Sequence, residues 1–425
     1  MARFGVICPA ATGHLNPMMA LCKELQRRHH QIVFFQLLET EAKVKAAGFE
    51  CQTIGHERFP LGRLPKELQR LGELSGKEAF HHTVNLIREF GRINLREIPE
   101  HLRKSPVDAL LIDEISYSGG SIAESFRLPF VTISNALVLL QEPGVPPFFS
   151  GWNYGTSPFS RLRNRLGYFL FNRQRKPGIE LINTHRKQWS LLPISYLDEA
   201  CSKLAHISQQ PEGFDFPRRR LRSTVHFVGP LHDSSAREPC SFPWERLDGR
   251  SLVYACMGTL QNRQQEIFGC IAKACADLPV QLAISLGGGC EPHDLKNLAG
   301  DPIVVKYAPQ LEILKKTQLC ITHAGLNTVL ESLSQGVPVV AIPITNDQPG
   351  VSARVVWKGV GEAVPIKRLN SQRLKSKVEK VLTDPKYKTN VMLLRDTIGR
   401  TSGARCAADI VERVTRSATA TRRTA

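Results

Sequence analysis

Between Tyr307 and Gly350 the chain reads YAPQLEILKKTQLCITHAGLNTVLESLSQGVPVVAIPITNDQPG, and this stretch leaves few folds open. LCIT (319–322) and VPVVAIPI (337–344) are short, continuous and β-branched, the pattern of strands buried on both faces of a parallel sheet. Between them the residues predict a strand-to-helix turn at Thr322–Gly325. A helix follows with Leu326, Val329, Leu330 and Leu333 on one face, stopped by Gly336. The polar residues His323, Asn327, Thr328 and Glu331 crowd the first half of that helix, and Asp347 and Gln348 follow the next strand. A helix N-terminus at the carboxyl edge of a parallel sheet is an anion site. The stretch is therefore read as the phosphate end of a nucleotide site.

The rest of the chain repeats the same rhythm. Phe4–Cys8 predicts a first strand, PAATGHLNP a turn, and Pro17 to about Arg28 a helix with Met18, Leu21, Cys22 and Leu25 at helical spacing. Strands are expected at 32–38, 107–113, 130–134 and 225–229, with mixed helices over 61–104. The first loop lacks G-x-G-x-x-G, so no dinucleotide fingerprint is present there. Residues 230–249 are rich in Pro and Ser without periodicity and read as an interdomain linker. A second βα series begins at Ser251, with strands at 251–258, 280–287 and from 303, and helices at about 371–383, 386–399 and 403–416. The tail ATATRRTA is expected to be unstructured. The glycine run Gly287–Gly289 reads as a turn.

A length of 425 residues allows two domains of roughly 200 residues each. No window of about 20 residues is continuously apolar, so no transmembrane helix is expected, and RFGVICPAA is too short in its apolar part for a signal peptide. The eleven cysteines are scattered with no CxxC pair, which fits free thiols in a reducing cytoplasm rather than disulfides or structural zinc. The net charge of +17 and pI near 9.5 leave open plain solubility, an anionic membrane surface, nucleotides or nucleic acid.

The long stretch from Tyr307 resembles the donor-sugar motif of the nucleotide-sugar-dependent glycosyltransferase superfamily, which includes plant secondary-product, macrolide and carotenoid glycosyltransferases. The turn Gly13-His14-x-Asn16-Pro17, the run Val228–Leu231 and Gly258-Thr259 after a strand also match. The resemblance runs end to end. It implies the α/β GT-B fold, two Rossmann-like doubly wound domains facing across a cleft. Residues 1–229 would bind the acceptor, 230–250 link, 251–402 bind the nucleotide sugar, and 403–425 cross back to the N-terminal domain.

The resemblance also implies roles. Tyr307, where plant members have tryptophan, would stack on the base beside Ala308, and Gln310 would read the base edge. His323 would meet the β-phosphate, with Gly258, Thr259, Gly325 and Leu326 alongside. Asn327 and Thr328 would meet the α-phosphate and Glu331 the ribose. Asp347 and Gln348 would hold the sugar hydroxyls, the glutamine favouring glucose. Ala324 and Leu326 replace the Cys and Trp of plant members, as on the bacterial side of the superfamily. The base at the acceptor end would be His14, oriented by Asp113, with Glu114 the alternative partner; imidazole has the right basicity near pH 7 to take a hydroxyl proton. The implied reaction is an inverting displacement needing no metal and no cofactor, the nucleotide sugar (UDP-glucose) being a co-substrate.

The acceptor side is less legible. Asn135, Phe149, Trp152 and Tyr154 are expected to line it. Residues 136–176 interleave Phe159, Leu162, Leu166, Tyr168, Phe169 and Phe171 with Arg161, Arg163, Arg165, Arg173 and Arg175. That is the pattern of an ordinary half-buried helix, or of a lid resting on an anionic membrane, or of a nucleic-acid patch. No RNP, zinc or helix-turn-helix pattern supports the last. The wording HAGLNTVLESLSQGVPVVAIPITNDQPGVSAR resembles bacterial zeaxanthin glucosyltransferase-like proteins, which implies a lipophilic carotenoid acceptor and peripheral membrane contact. Soluble phenols or macrolides are the alternative acceptors, and a nucleotide-sugar epimerase or a non-catalytic lipid or nucleotide carrier are the alternative functions.

Overall fold

The computed structural model describes residues 1–233, 235, 237, 239–260, 262–295 and 297–424, with side chains in the last helix described as far as 418. Among the described residues thirteen strands form two parallel sheets. The first comprises β1 (Arg3–Ile7), β2 (Gln31–Leu37), β3 (Glu50–Ile54), β4 (Ala109–Asp113), β5 (Phe130–Ser134), β6 (His206–Ser208) and β7 (Val225–Phe227), in the order β3-β2-β1-β4-β5-β6-β7. The second comprises β8 (Ser251–Cys256), β9 (Val280–Ser285), β10 (Ile303–Val305), β11 (Thr317–Thr322), β12 (Val339–Ala341) and β13 (Gly361–Ala363), in the order β10-β9-β8-β11-β12-β13. Both are doubly wound, and strand order reverses once in each, at β1/β4 and at β8/β11. Helices leave such a reversal in opposite directions, which opens a crevice at the strands' carboxyl ends.

Three strands absent from the sequence reading, β3, β6 and β13, are short or polar. Glu50–Ile54 alternates polar residues at a sheet edge, and His206–Ser208 and Gly361–Ala363 span three residues each, too few to show a period. The first helix runs Thr12–Arg27, starting five residues before the expected Pro17. A proline's fixed φ suits a helix; what it removes is one N–H, and the carbonyl four residues earlier, that of Gly13, loses its helical partner. The last helix, Gly403–Thr424, continues through the segment expected to be unstructured, Ala425 lying outside the described residues. Its Ala407, Ala408, Ile410 and Val411 share a core with Phe4, Leu21 and Phe34 of the first domain. Arg28 fixes it there through Asp409 at 2.6 Å and Glu412 at 3.1 Å, and His30 through Glu412 at 2.8 Å. In the linker region, residues 234, 236 and 238 lie outside the described residues.

A buried ion triad joins the two sheets' domains. Asp215, in the first, accepts from Arg354 Nε of helix Gln348–Trp357 in the second at 2.7 Å and from Arg218 Nε at 2.7 Å. Burial alone would push the Asp215 carboxyl up, but the two guanidiniums outweigh it and hold it at about 2. Removing one partner strands the others without compensation. Asp215→Asn is expected to cost about 3–5 kcal/mol, read as an earlier urea midpoint at unchanged slope. Because the folded value lies below the unfolded one, the contribution of Asp215 is complete above about pH 4 and is lost as pH falls through 2. The wild-type midpoint should fall in that window, and the variant's should fall less.

Candidate active site

At the first crevice, β1 ends and the Thr12–Arg27 helix begins, placing His14 in its first turn; β4, the neighbouring strand, ends on Asp113. The two side chains meet, His14 Nδ1 to Asp113 Oδ2 at 2.8 Å. Asp113 is fully buried and also accepts from Asn135 Nδ2 at 2.7 Å and from the Ile115 N–H at 3.0 Å. Burial pushes the His14 imidazole down, but the charge and hydrogen bond of Asp113, with Asp347 beyond, more than offset this and leave it above its ordinary value of 6.5. With Nδ1 committed to the carboxylate, Nε2 is the nitrogen left for chemistry. Glu114 does not compete. One residue further along an extended backbone, it is held by the Ser134 hydroxyl at 2.6 Å and the Leu139 N–H at 3.0 Å. Glu114, Cys201 and His206 bring ligand-type atoms within 4.8 Å of one another. His206 Nε2 and Glu114 share the Ser134 hydroxyl, which makes this a hydrogen-bonded core cluster.

At the second crevice, β11 ends on Thr322 and helix Leu326–Ser334 begins, with Ala324 at φ +65° and Gly325 as the cap. The His323 ring lies between two glycines. A methyl group at Gly258, itself at φ +74°, would sit 2.5 Å from His323 Cε1, and one at Gly325 would sit 2.5 Å from Nε2. Burial pushes this imidazole down to about 4, so it is neutral at physiological pH. Gln310 donates to Glu331 at 2.7 Å, and Glu331 also takes both terminal nitrogens of Arg237, a linker residue that no sequence pattern marks. The Tyr307 hydroxyl stands where a side chain on Gly288 (φ +78°) would be, and Asn262 ties the carbonyls of Gly258 and Gly287 together at 3.2 and 2.8 Å. The Gly287–Gly289 turn is thus a seat for the tyrosine. After β12, Gln348 accepts from the N–H groups of Ile344 and Thr345 at 2.8 and 3.0 Å. Asp347 beside it has its carboxyl pushed up by burial, and the nearby His14 charge works against that rise.

The crevices face each other across one cavity of about 400 Å³, and each donor-side residue named from the sequence lines it: Gly258, Thr259, Tyr307, Ala308, Gln310, His323, Gly325, Leu326, Asn327, Thr328, Glu331, Asp347 and Gln348. His14 and Asn135 line it from the other domain, with Asp113 behind them. Asn327 spans the boundary. Its amide nitrogen donates at 2.8 Å to the Gly13 carbonyl that Pro17 leaves unpaired, and its oxygen accepts from Gln209 at 2.7 Å. The N-terminal wall is apolar, built by Phe80, Ile87, Phe90, Leu139, Phe148 and Phe171, with Tyr117 and Arg175 at its end.

Three residues expected on the acceptor side are not among those that line this cavity. Phe149 packs behind the wall against Phe80, Phe148 and Phe171, with centroids 5.0–5.9 Å away. Trp152 covers Gly167 and carries the Arg163 guanidinium at 4.8 Å. Tyr154 stacks on Phe216 at 5.3 Å and meets Trp357, beside the ion triad. Alternation of aromatic and basic residues does not say which of them face the cavity, so no sequence pattern sets Phe148 and Phe171 apart from their neighbours.

A profile of UDP-glucoronosyl and UDP-glucosyl transferases matches residues 6–398. The chain belongs to this family. UDP-glycosyltransferases with which it aligns include the zeaxanthin glucosyltransferases of Pantoea ananas (29% identical, covering 97% of this chain and 96% of that one) and of Pseudescherichia vulneris (29%, covering 97% and 98%). Among solved structures, the glycotransferase of kitacinnamycin superposes with a TM-score of 0.76 at 20% identity, covering 97% of this chain and 98% of that one. The fold is GT-B, and the chain is a UDP-glycosyltransferase.

The two cavity histidines are perturbed in opposite directions, and NMR titration of labelled imidazoles separates them. His323 is expected to titrate near 4 and His14 above 6.5. Asp113→Asn should lower the His14 value and leave that of His323 in place.

Proposed function

We propose that the enzyme transfers a hexose, glucose in the reading favoured here, from a UDP-sugar to a hydroxyl of a lipophilic acceptor, with inversion and without a metal or cofactor. The observation that carries this is the His14–Asp113 pair facing the His323 helix start across one cavity. The acceptor oxygen attacks the anomeric carbon while His14 Nε2 takes its proton. The bond from that carbon to the β-phosphate oxygen breaks, and UDP leaves with the electron pair. Asp113 keeps the tautomer and stabilises the imidazolium that forms. The leaving diphosphate lies at the N-terminus of helix Leu326–Ser334, against neutral His323 and the Thr259 and Thr328 hydroxyls. Tyr307 and Gln310 take the base, Glu331 the ribose, and Asp347 with Gln348 the sugar. Asn346, at φ +55° with a buried amide oxygen lacking a protein partner, adds an acceptor for a sugar hydroxyl. Asn327 differs from its family reading: both ends of its amide are spent on the other domain, so the phosphate contact falls to Thr328.

The apolar wall supports a carotenoid diol such as zeaxanthin as acceptor, and the alignment with zeaxanthin glucosyltransferases points the same way. Among the described residues no helix is long and apolar enough to cross a membrane. A membrane-borne acceptor is then met from the side, by a cytoplasmic protein in peripheral contact with the bilayer. Soluble phenols or macrolides are the competing acceptors. Incubation of the purified enzyme with UDP-glucose and either zeaxanthin or a phenol panel decides between them: conversion of the phenols with zeaxanthin untouched would reject the carotenoid.

His14→Ala should lower kcat by about 10²–10⁴ with UDP affinity unchanged; loss of UDP binding instead would place His14 in the donor site. Since the base must be neutral, kcat/KM should rise with pH through a value above 6.5. Asp113→Asn should move that limb to lower pH while reducing the maximum rate.

A further inference from the structure

Helix Pro158–Gln188 divides its apolar residues unequally. Tyr168 and Phe171 are buried, whereas Phe159 (74%), Leu162, Leu166, Phe169 (61%) and Leu170 stand exposed. Positions 159, 162, 166, 169, 170 and 173 follow helical spacing, so the exposed residues form one stripe that ends on Arg173. A stripe of this kind is the informative exception on a protein surface.

Where the stripe ends, a second cavity of about 320 Å³ opens between this helix and helix Gly76–Lys104. His81, Asn85 and Arg88, at i, i+4 and i+7, face it from one side, and Arg173, Gln174 and Arg175 from the other. Three guanidiniums surround it, and among the described residues none of the three is within ion-pairing distance of a carboxylate. Arg88 Nε is buried without a hydrogen-bond partner. Arg175 rests on the faces of Phe171 and Tyr117, at 4.7 and 5.5 Å; burial pulls its guanidinium below the ordinary value, and the charges of Asp198 and Glu114, beyond ion-pairing distance, offset this only in part. Half-buried arginines are ordinarily paired, and Arg88 and Arg175 are half-buried here, with the exposed Arg173 at the rim of the pocket. Val84, Tyr117 and Arg175 line both this pocket and the acceptor side of the active-site cavity, so the two spaces adjoin.

We propose that the Arg88–Arg173–Arg175 pocket takes the phosphate of an anionic membrane lipid, whose acyl chains lie along the Phe159–Leu170 stripe, seating the acceptor mouth on the bilayer. The positive pocket selects the charge, and the apolar stripe continuous with it selects a lipid over a soluble phosphate. This rests on the reading of a membrane-borne acceptor and gives it an address.

The test is flotation of the full-length protein with vesicles of phosphatidylcholine alone or mixed equally with phosphatidylglycerol. Binding is expected to the mixed vesicles only. Arg173→Glu and Phe169→Ser should each lower partitioning by about fivefold or more, while turnover of zeaxanthin presented in detergent is retained. Arg395→Glu, the same charge change in a distant helix, should leave partitioning unchanged. Equal flotation with both vesicles would overturn the anionic pocket in favour of apolar insertion alone, and equal loss in Arg395→Glu would overturn it in favour of diffuse attraction. Thermal stabilisation by inorganic phosphate that is lost in Arg173→Glu, without flotation, would overturn the lipid and leave a soluble phosphate ligand. Flotation with zeaxanthin unmodified would uphold the docking and reject the carotenoid. Zeaxanthin turnover in detergent without flotation would do the reverse.

Discussion

The shared cavity of this enzyme lies where strand order reverses in both sheets. In a doubly wound sheet the crossovers leave one gap, at the carboxyl ends of the two strands on either side of the reversal. The first sheet presents His14 and Asp113 from β1 and β4; the second presents Gly258 and His323 from β8 and β11. Two such gaps face to face make a cavity that either sheet alone would leave open to solvent. Their separation is therefore a functional quantity, and the Asp215–Arg354 pair and the crossing-back helix Gly403–Thr424 constrain it from outside the site.

Within the cavity, burial acts on two imidazoles with opposite results. No carboxylate acts on His323: desolvation outweighs the opposing hydrogen bond with the Cys256 backbone, and the imidazole stays neutral. His14 is desolvated too, yet Asp113 and Asp347 make the protonated form acceptable. The difference lies in the carboxylates, which come from neighbouring strand ends and not from either histidine's own loop. The glycines at 258 and 325 permit the His323 geometry by lacking a Cβ, which is why the residues most diagnostic of the donor side include ones with no functional group.

The Tyr307–Gly350 side of the cavity was legible because its residues are close in sequence. Strand, turn, helix and strand follow within Tyr307–Gly350, so one local pattern carries the fold and the site together. The His14–Asp113 pair needed the topology, since 99 residues separate its members. The acceptor side is assembled from two long helices and a loop whose aromatic residues are indistinguishable by type, and only packing separates Phe148 and Phe171 from Phe149, Trp152 and Tyr154. Arg237 was out of reach for a different reason: it acts from a segment without periodicity, on a carboxylate 94 residues away.

Pro17 carries a further consequence. The ring does not merely stiffen the first helix; it withholds one hydrogen, and the Gly13 carbonyl so released is answered by Asn327 from the other domain. The two residues are thus halves of a single junction, written 310 positions apart. Hybrid enzymes made by joining the acceptor half of one relative to the donor half of another would inherit these halves from different parents. A hybrid with the proline but no amide at the facing position would carry an unanswered carbonyl at the seam, one residue from the histidine that faces the cavity. One with the amide but no proline would set helix and donor domain competing for the same oxygen. Compatibility at this seam is a criterion for choosing parents that overall identity does not measure.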